Sequence, residues 1–88
     1  MAWRVELTPG AERQLQKLDR SAASRITKYL AALVADCPDP RQRGKGLTGN
    51  LSGLWRYRVG DFRVLCRLED HRLVVLVVGV AHRGEAYG

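Results

Sequence analysis

Trp55-Arg56-Tyr57-Arg58-Val59-Gly60-Asp61-Phe62-Arg63-Val64-Leu65-Cys66-Arg67-Leu68 holds two alternating runs around a Gly-Asp pair. Alternation of apolar and charged residues is the mark of a strand with one buried face, and Gly-Asp between two such runs signals a two-residue hairpin turn. That turn fixes the register: Val59 opposes Phe62, Arg58 opposes Arg63, Tyr57 opposes Val64 and Arg56 opposes Leu65. Side chains at i and i+2 share a face, and so do directly opposed residues. Trp55, Tyr57, Val59, Phe62, Val64, Cys66 and Leu68 therefore form one face. Arg56, Arg58, Arg63 and Arg67 form the other. Two arginines facing each other across a ladder repel and lower stability. The arrangement makes chemical sense if a polyanion lies across it, because the planar guanidinium fork matches phosphate oxygens in pairs.

Around this hairpin the chain supplies the remaining layers. Leu73 to Val80 is a β-branched run expected to form a central strand covered on both faces. Trp3 to Leu7 alternates and predicts a first strand. Thr8-Pro9 fits a helix start, with Thr as cap and Pro in the first turn, so Gly10 to Leu18 reads as a short helix with Leu15 and Leu18 inward. Ser21 is the expected cap of a second helix, whose Ala22, Ile26, Leu30, Leu33 and Val34 recur at three- and four-residue spacing. The prolines of 36–40 end it. Residues 41–53 have four glycines and no periodicity and read as a loop. The expected order is β-α-α-β-β-β: an α+β domain of mostly antiparallel sheet with both helices on one face, filling residues 1–88 as one unit.

Composition narrows the function. Of 88 residues, 45% are apolar and 27% charged, the balance of a folded globular chain. The longest apolar run, Leu73 to Ala81, is far short of the ~20 residues of a membrane-spanning helix. The charged N-terminus lacks the apolar stretch of a secretory signal, so a cytoplasmic location is expected. Cys37 and Cys66 form neither a disulfide framework nor a zinc spacing. Net charge is +6, and residues 41–88 hold nine bases against four acids. A small domain with one strongly basic half points to nucleic acid. Arg41, Arg43 and Lys45 extend the basic character into the loop, and the tail brings His82, Arg83 and Tyr87 to one end of the sheet.

Cutting RNA without a metal requires removal of the 2′-hydroxyl proton, protonation of the leaving 5′-oxygen and stabilisation of the phosphorane charge. The arginines meet the third need; His or Tyr can carry protons. Acids in the basic half are too few for a two-metal nuclease, so no metal or cofactor is expected.

The segment Gly53 to Leu65, followed by His82-Arg83, Glu85 and Tyr87, resembles the RelE toxins of bacterial toxin–antitoxin pairs. The resemblance implies a ribosome-dependent mRNA endonuclease that cuts A-site mRNA by 2′-hydroxyl attack, leaving a 2′,3′-cyclic phosphate and a 5′-hydroxyl. It implies catalytic roles for Arg56, Arg58, Arg63, Arg83 and Tyr87, with Tyr87 as general base and Arg83 as leaving-group acid or phosphate clamp. Arg41, Arg43, Lys45, Arg67 and His82 are the expected further RNA contacts. It also implies an antitoxin partner, the ribosome and mRNA, and a toxin–antitoxin assembly that reaches operator DNA through the antitoxin. Familiar members have lysines where this chain has Arg56 and Arg58. Arginine does not give up its proton, so those two positions act through charge. Two other readings remain: a ParE-like gyrase inhibitor on the same fold, and an RNA-binding module that does not cut.

Overall fold

The structure, a computed structural model, describes residues 2–82. The hairpin forms with the register read above. Strand β3 (Trp55–Val59) pairs antiparallel with β4 (Phe62–Glu69), placing Val59 opposite Phe62, Arg58 opposite Arg63 and Tyr57 opposite Val64. Gly60 takes φ +60° in the turn, a left-handed conformation that disfavours any residue with a Cβ. Gly60→Ala is expected to cost about 1–2 kcal/mol without changing the fold, read as a lower urea midpoint at unchanged slope.

The sheet has five strands in the order β1-β5-β4-β3-β2, where β1 is Arg4–Leu7, β2 is Lys45–Gly46 and β5 is Val74–His82. β1 pairs parallel with β5, and every other pairing is antiparallel. β5, expected to be the central strand, is an inner strand between β1 and β4, and β4 is the middle one; Val74, Val75 and Val77 of β5 are fully buried. Three details differ from the sequence reading. Residues 45 and 46, expected in a loop, form β2 by pairing with Arg56 and Trp55; two residues carry no readable alternation. The last strand starts at Val74 because Leu73 is in the turn with φ +53°. Leu65 pairs with Gly79 but Cys66 pairs with Val77, so Val78 is an extra residue that shifts the alternation of β5.

Helix α1 (Pro9–Lys17) begins as read: the Thr8 hydroxyl accepts from the Ala11 N–H at 3.1 Å. Helix α2 (Arg20–Asp36) is capped by Asp19, whose carboxylate accepts from the Ala22 N–H at 3.2 Å. This corrects the expected cap at Ser21. Asp19 has the extended backbone that a cap requires, and its side chain takes the orphan donor first.

Both helices supply the core: Ala11, Ile26 and Leu33 are fully buried with Tyr57, Val64, Cys66 and Val77. Because β1 stops at Leu7, the far half of β5 has an open side there. The Gln14 side chain closes part of it, accepting from the Val80 N–H at 2.7 Å. Burial also raises the pKa of the Cys66 thiol to about 12, so it stays protonated and behaves as a small apolar side chain.

Candidate nucleic-acid interface

Alternation in β3 separates structure from chemistry one residue at a time. Tyr57 points inward and is fully buried. Its hydroxyl donates to the Pro40 carbonyl at 2.8 Å and its ring lies 6.0 Å from that of Tyr29. Its neighbours Arg56 and Arg58 point to the other face, the first half-buried and the second exposed. Register then sets the cations in rows across the sheet. Arg58 faces Arg63, which in turn faces Ala81. Lys45 faces Arg56, which faces Leu65. The two-residue strand β2 thus adds a second like-charge pair beside the first. Among the described residues, Lys45, Arg56 and Arg58 join no ion pair.

Two described acids, Glu6 and Glu69, are engaged at the far corner of the sheet. Glu6 accepts from Arg4 and Arg72, and Glu69 accepts from Arg72 at 2.6 Å. Hydrogen bonding to Arg4, then to Arg72, holds the Glu6 carboxyl below its ordinary range. Arg67 belongs to the row of Leu76 and Glu6, one step from the cationic rows and towards this neutralised corner.

Arg41 is tied down as well. Its two terminal nitrogens donate to the Asp70 carboxylate at 2.9 and 2.8 Å. The same hydrogen bonds lower the pKa of Asp70 and raise that of Arg41. Arg41 therefore anchors the 39–46 segment to the β4–β5 turn, while Arg43 and Lys45 remain exposed beyond it. Because pairing depresses the folded-state pKa of Asp70, its contribution to stability is present at neutral pH. It is lost as pH falls through the ordinary carboxylate range and then through the depressed value. Urea midpoints of the wild type and Asp70→Asn are expected to differ at pH 7, with the difference narrowing as pH falls below the ordinary carboxylate range.

His82 does not stand with the arginines. It pairs with Phe62, and its ring meets that of Phe62 edge-on at 5.2 Å. Phe62 is on the helix-covered face, so His82 is on that side too. A sequence reading of the tail lacked the bulge at Val78 and could not fix this face. Arg83 and Tyr87 lie outside the described residues. Arg25 is a residue the sequence did not single out. It is exposed on α2, and a Cβ on Gly60 would stand 2.7 Å from its Nη1, so helix packing brings a further cation to the hairpin turn. No local signal marks it, because only the docking of α2 puts it there.

A family model described as the ParE toxin of type II toxin–antitoxin system, parDE, matches residues 5–87. The chain belongs to this toxin family, within the RelE/ParE superfamily. The curated relatives agree. Toxin RelE and Toxin RelG of Mycobacterium tuberculosis are each 29% identical, over 97% and 99% of this chain and 86% and 98% of theirs. Among solved structures, the toxin–antitoxin complex RelBE2 of M. tuberculosis contains a chain with TM-score 0.83 and 28% identity, covering 97% of this chain and 95% of that one. The isolated E. coli RelE toxin matches with TM-score 0.75 at 15% identity, over 98% and 89% of the two chains, a likeness of fold. The expected α+β architecture of a RelE-like toxin is the one observed.

Proposed function

We propose that this toxin is a ribosome-dependent mRNA endonuclease and acts without a metal. The observation that carries the reading is the double row of opposed cations, Arg58 with Arg63 and Lys45 with Arg56, in which Lys45, Arg56 and Arg58 join no ion pair among the described residues. Cations gathered in this way are favourable ground for a phosphate backbone. In this reading Arg56, Arg58 and Arg63 hold the scissile phosphate and stabilise the phosphorane. Tyr87 removes the 2′-hydroxyl proton, as the resemblance implies, and Arg83 clamps the leaving oxygen, which takes its proton from water because an arginine keeps its own. Arg43, Lys45 and Arg67 contact RNA beyond the cut; Arg41 acts through the segment it anchors. His82 approaches the RNA from the rim of the opposite face.

The structures of RelBE2 and of an archaeal RelE–RelB complex from Pyrococcus horikoshii OT3, which is 28% identical with TM-score 0.72, support an antitoxin partner. An antitoxin with an acidic stretch complements this face. The ParE description of the matching family favours a second reading, inhibition of DNA gyrase. Induction of the toxin in cells separates the two. Arrest of protein synthesis with cleaved mRNA is the expected result; DNA damage with translation intact would overturn the nuclease in favour of gyrase.

A further inference from the structure

A second feature on the helix-covered side of the sheet is not used by the cationic rows. Trp55 is half-buried at the start of β3 and faces inward, opposite Gly46 and Cys66. Its Nε1–H donates to the Arg43 carbonyl at 2.7 Å. With its donor engaged, the ring is locked and offers only its π surface. Gly46 is what allows this pose: a Cβ there would stand 2.9 Å from the indole ring. Beside the ring is a cavity of about 270 Å³, lined also by Arg41, Leu47, Leu54 and Leu68. That is below the usual range of drug-sized pockets, ~300–1,000 Å³, and of the order that one planar heterocycle occupies. Arg41 is held at the wall by Asp70, which accepts from both its terminal nitrogens. Arg43, whose carbonyl holds the indole, is itself exposed next to the ring, whereas Lys45 shares the outward face of Arg56. An aromatic platform, a slot walled by leucines and Arg41, and the exposed Arg43 together match one ligand chemistry. Unpaired RNA is held by stacking its bases on aromatic rings while cations follow its phosphates.

We propose that the cavity beside Trp55 receives an unpaired RNA base, stacked on the indole, with Arg43 on a neighbouring phosphate. The proposal rests on the RNA reading above but asks only for binding, so the two fail separately. The probe is a fluorescently labelled hexa-adenylate RNA, titrated against the full chain at low salt, beside the same oligomer made abasic. Trp55→Leu is expected to weaken binding of the intact oligomer by about 5- to 100-fold, the range for loss of one stacked base. It should leave binding of the abasic oligomer nearly unchanged. Equal affinity of wild type and Trp55→Leu for the intact oligomer, or equal losses on both oligomers, would overturn the pocket. If Arg56→Ala still weakens binding in that case, the proposed function stands alone.

Should Trp55→Leu fail to fold, wild-type tryptophan emission gives the reading. Trp3 is buried at 8% exposure, so quenching by the intact oligomer and not by the abasic one reports stacking on Trp55. No quenching at saturation overturns the proposal. Two further arms identify the source of the base. Slower cleavage of mRNA carrying an abasic nucleotide, by wild type but not by Trp55→Leu, assigns it to mRNA. Weaker binding of Trp55→Leu to ribosomes free of mRNA assigns it to rRNA.

Discussion

Arg58→Ala is expected to slow single-turnover cleavage of mRNA on programmed ribosomes by about 10²–10³-fold, the cost of removing one preorganised charge from a developing oxyanion. Its melting temperature should hold or rise. Arg58 is exposed and faces Arg63 directly across the hairpin. Removing it relieves a like-charge pair worth roughly 0.2–1 kcal/mol. Losing activity while keeping or gaining stability is what distinguishes a residue retained for its ligand from one retained for the fold. Arg58→Lys, which keeps the charge but not the fork, should recover part of the rate. If Arg58→Ala cleaves at the wild-type rate, the cationic rows do not act on the phosphate.

One position away, Tyr57→Ala should do the reverse. Tyr57 is fully buried against Tyr29, and its hydroxyl satisfies the Pro40 carbonyl. Truncating a large buried aromatic costs about 3–5 kcal/mol, which is a large share of the 5–15 kcal/mol that holds a typical domain together. Urea denaturation should show a midpoint near zero denaturant or an unfolded chain. Tyr57→Phe separates the terms: it keeps the ring and loses one hydrogen bond, about 1 kcal/mol plus the cost of the orphaned carbonyl. The segment anchored at Pro40 leads to Arg43 and Lys45, so Tyr57→Phe should also loosen those cations and weaken ribosome binding modestly. A Tyr57→Ala variant as stable as the wild type would contradict the assignment of the two faces of β3.

The contrast between these neighbours was legible in the sequence because it is set by local geometry. A two-residue turn at Gly60-Asp61 fixes the register, and the period of two fixes the faces. Thr8-Pro9 likewise marked the start of α1 correctly. What the sequence did not disclose depends on distant residues or on single-residue shifts. Lys45 opposes Arg56 through a strand of two residues, too short for periodicity. Val78 is an extra residue in β5, and with it went the basis for placing His82, which packs on Phe62 and away from the arginines. Arg41 reads from the sequence as an RNA contact, and nothing local tells that Asp70, 29 positions on, holds it. Arg25 reaches the hairpin turn only because α2 docks there. Each is a tertiary pairing that local propensity does not encode.

The central claim is that the outward face of the β3–β4 hairpin, supplied with an ordered mRNA, cuts it. The direct measurement is single-turnover incubation of the wild-type toxin with end-labelled mRNA, free and in the A site of programmed ribosomes, with the product ends identified chemically. The account predicts one cut in the A-site codon, a 2′,3′-cyclic phosphate on one fragment, a 5′-hydroxyl on the other, and little cutting of the free mRNA, because positioning comes from the ribosome. Intact mRNA on programmed ribosomes, under conditions where the same preparation blocks DNA supercoiling by gyrase, would contradict it.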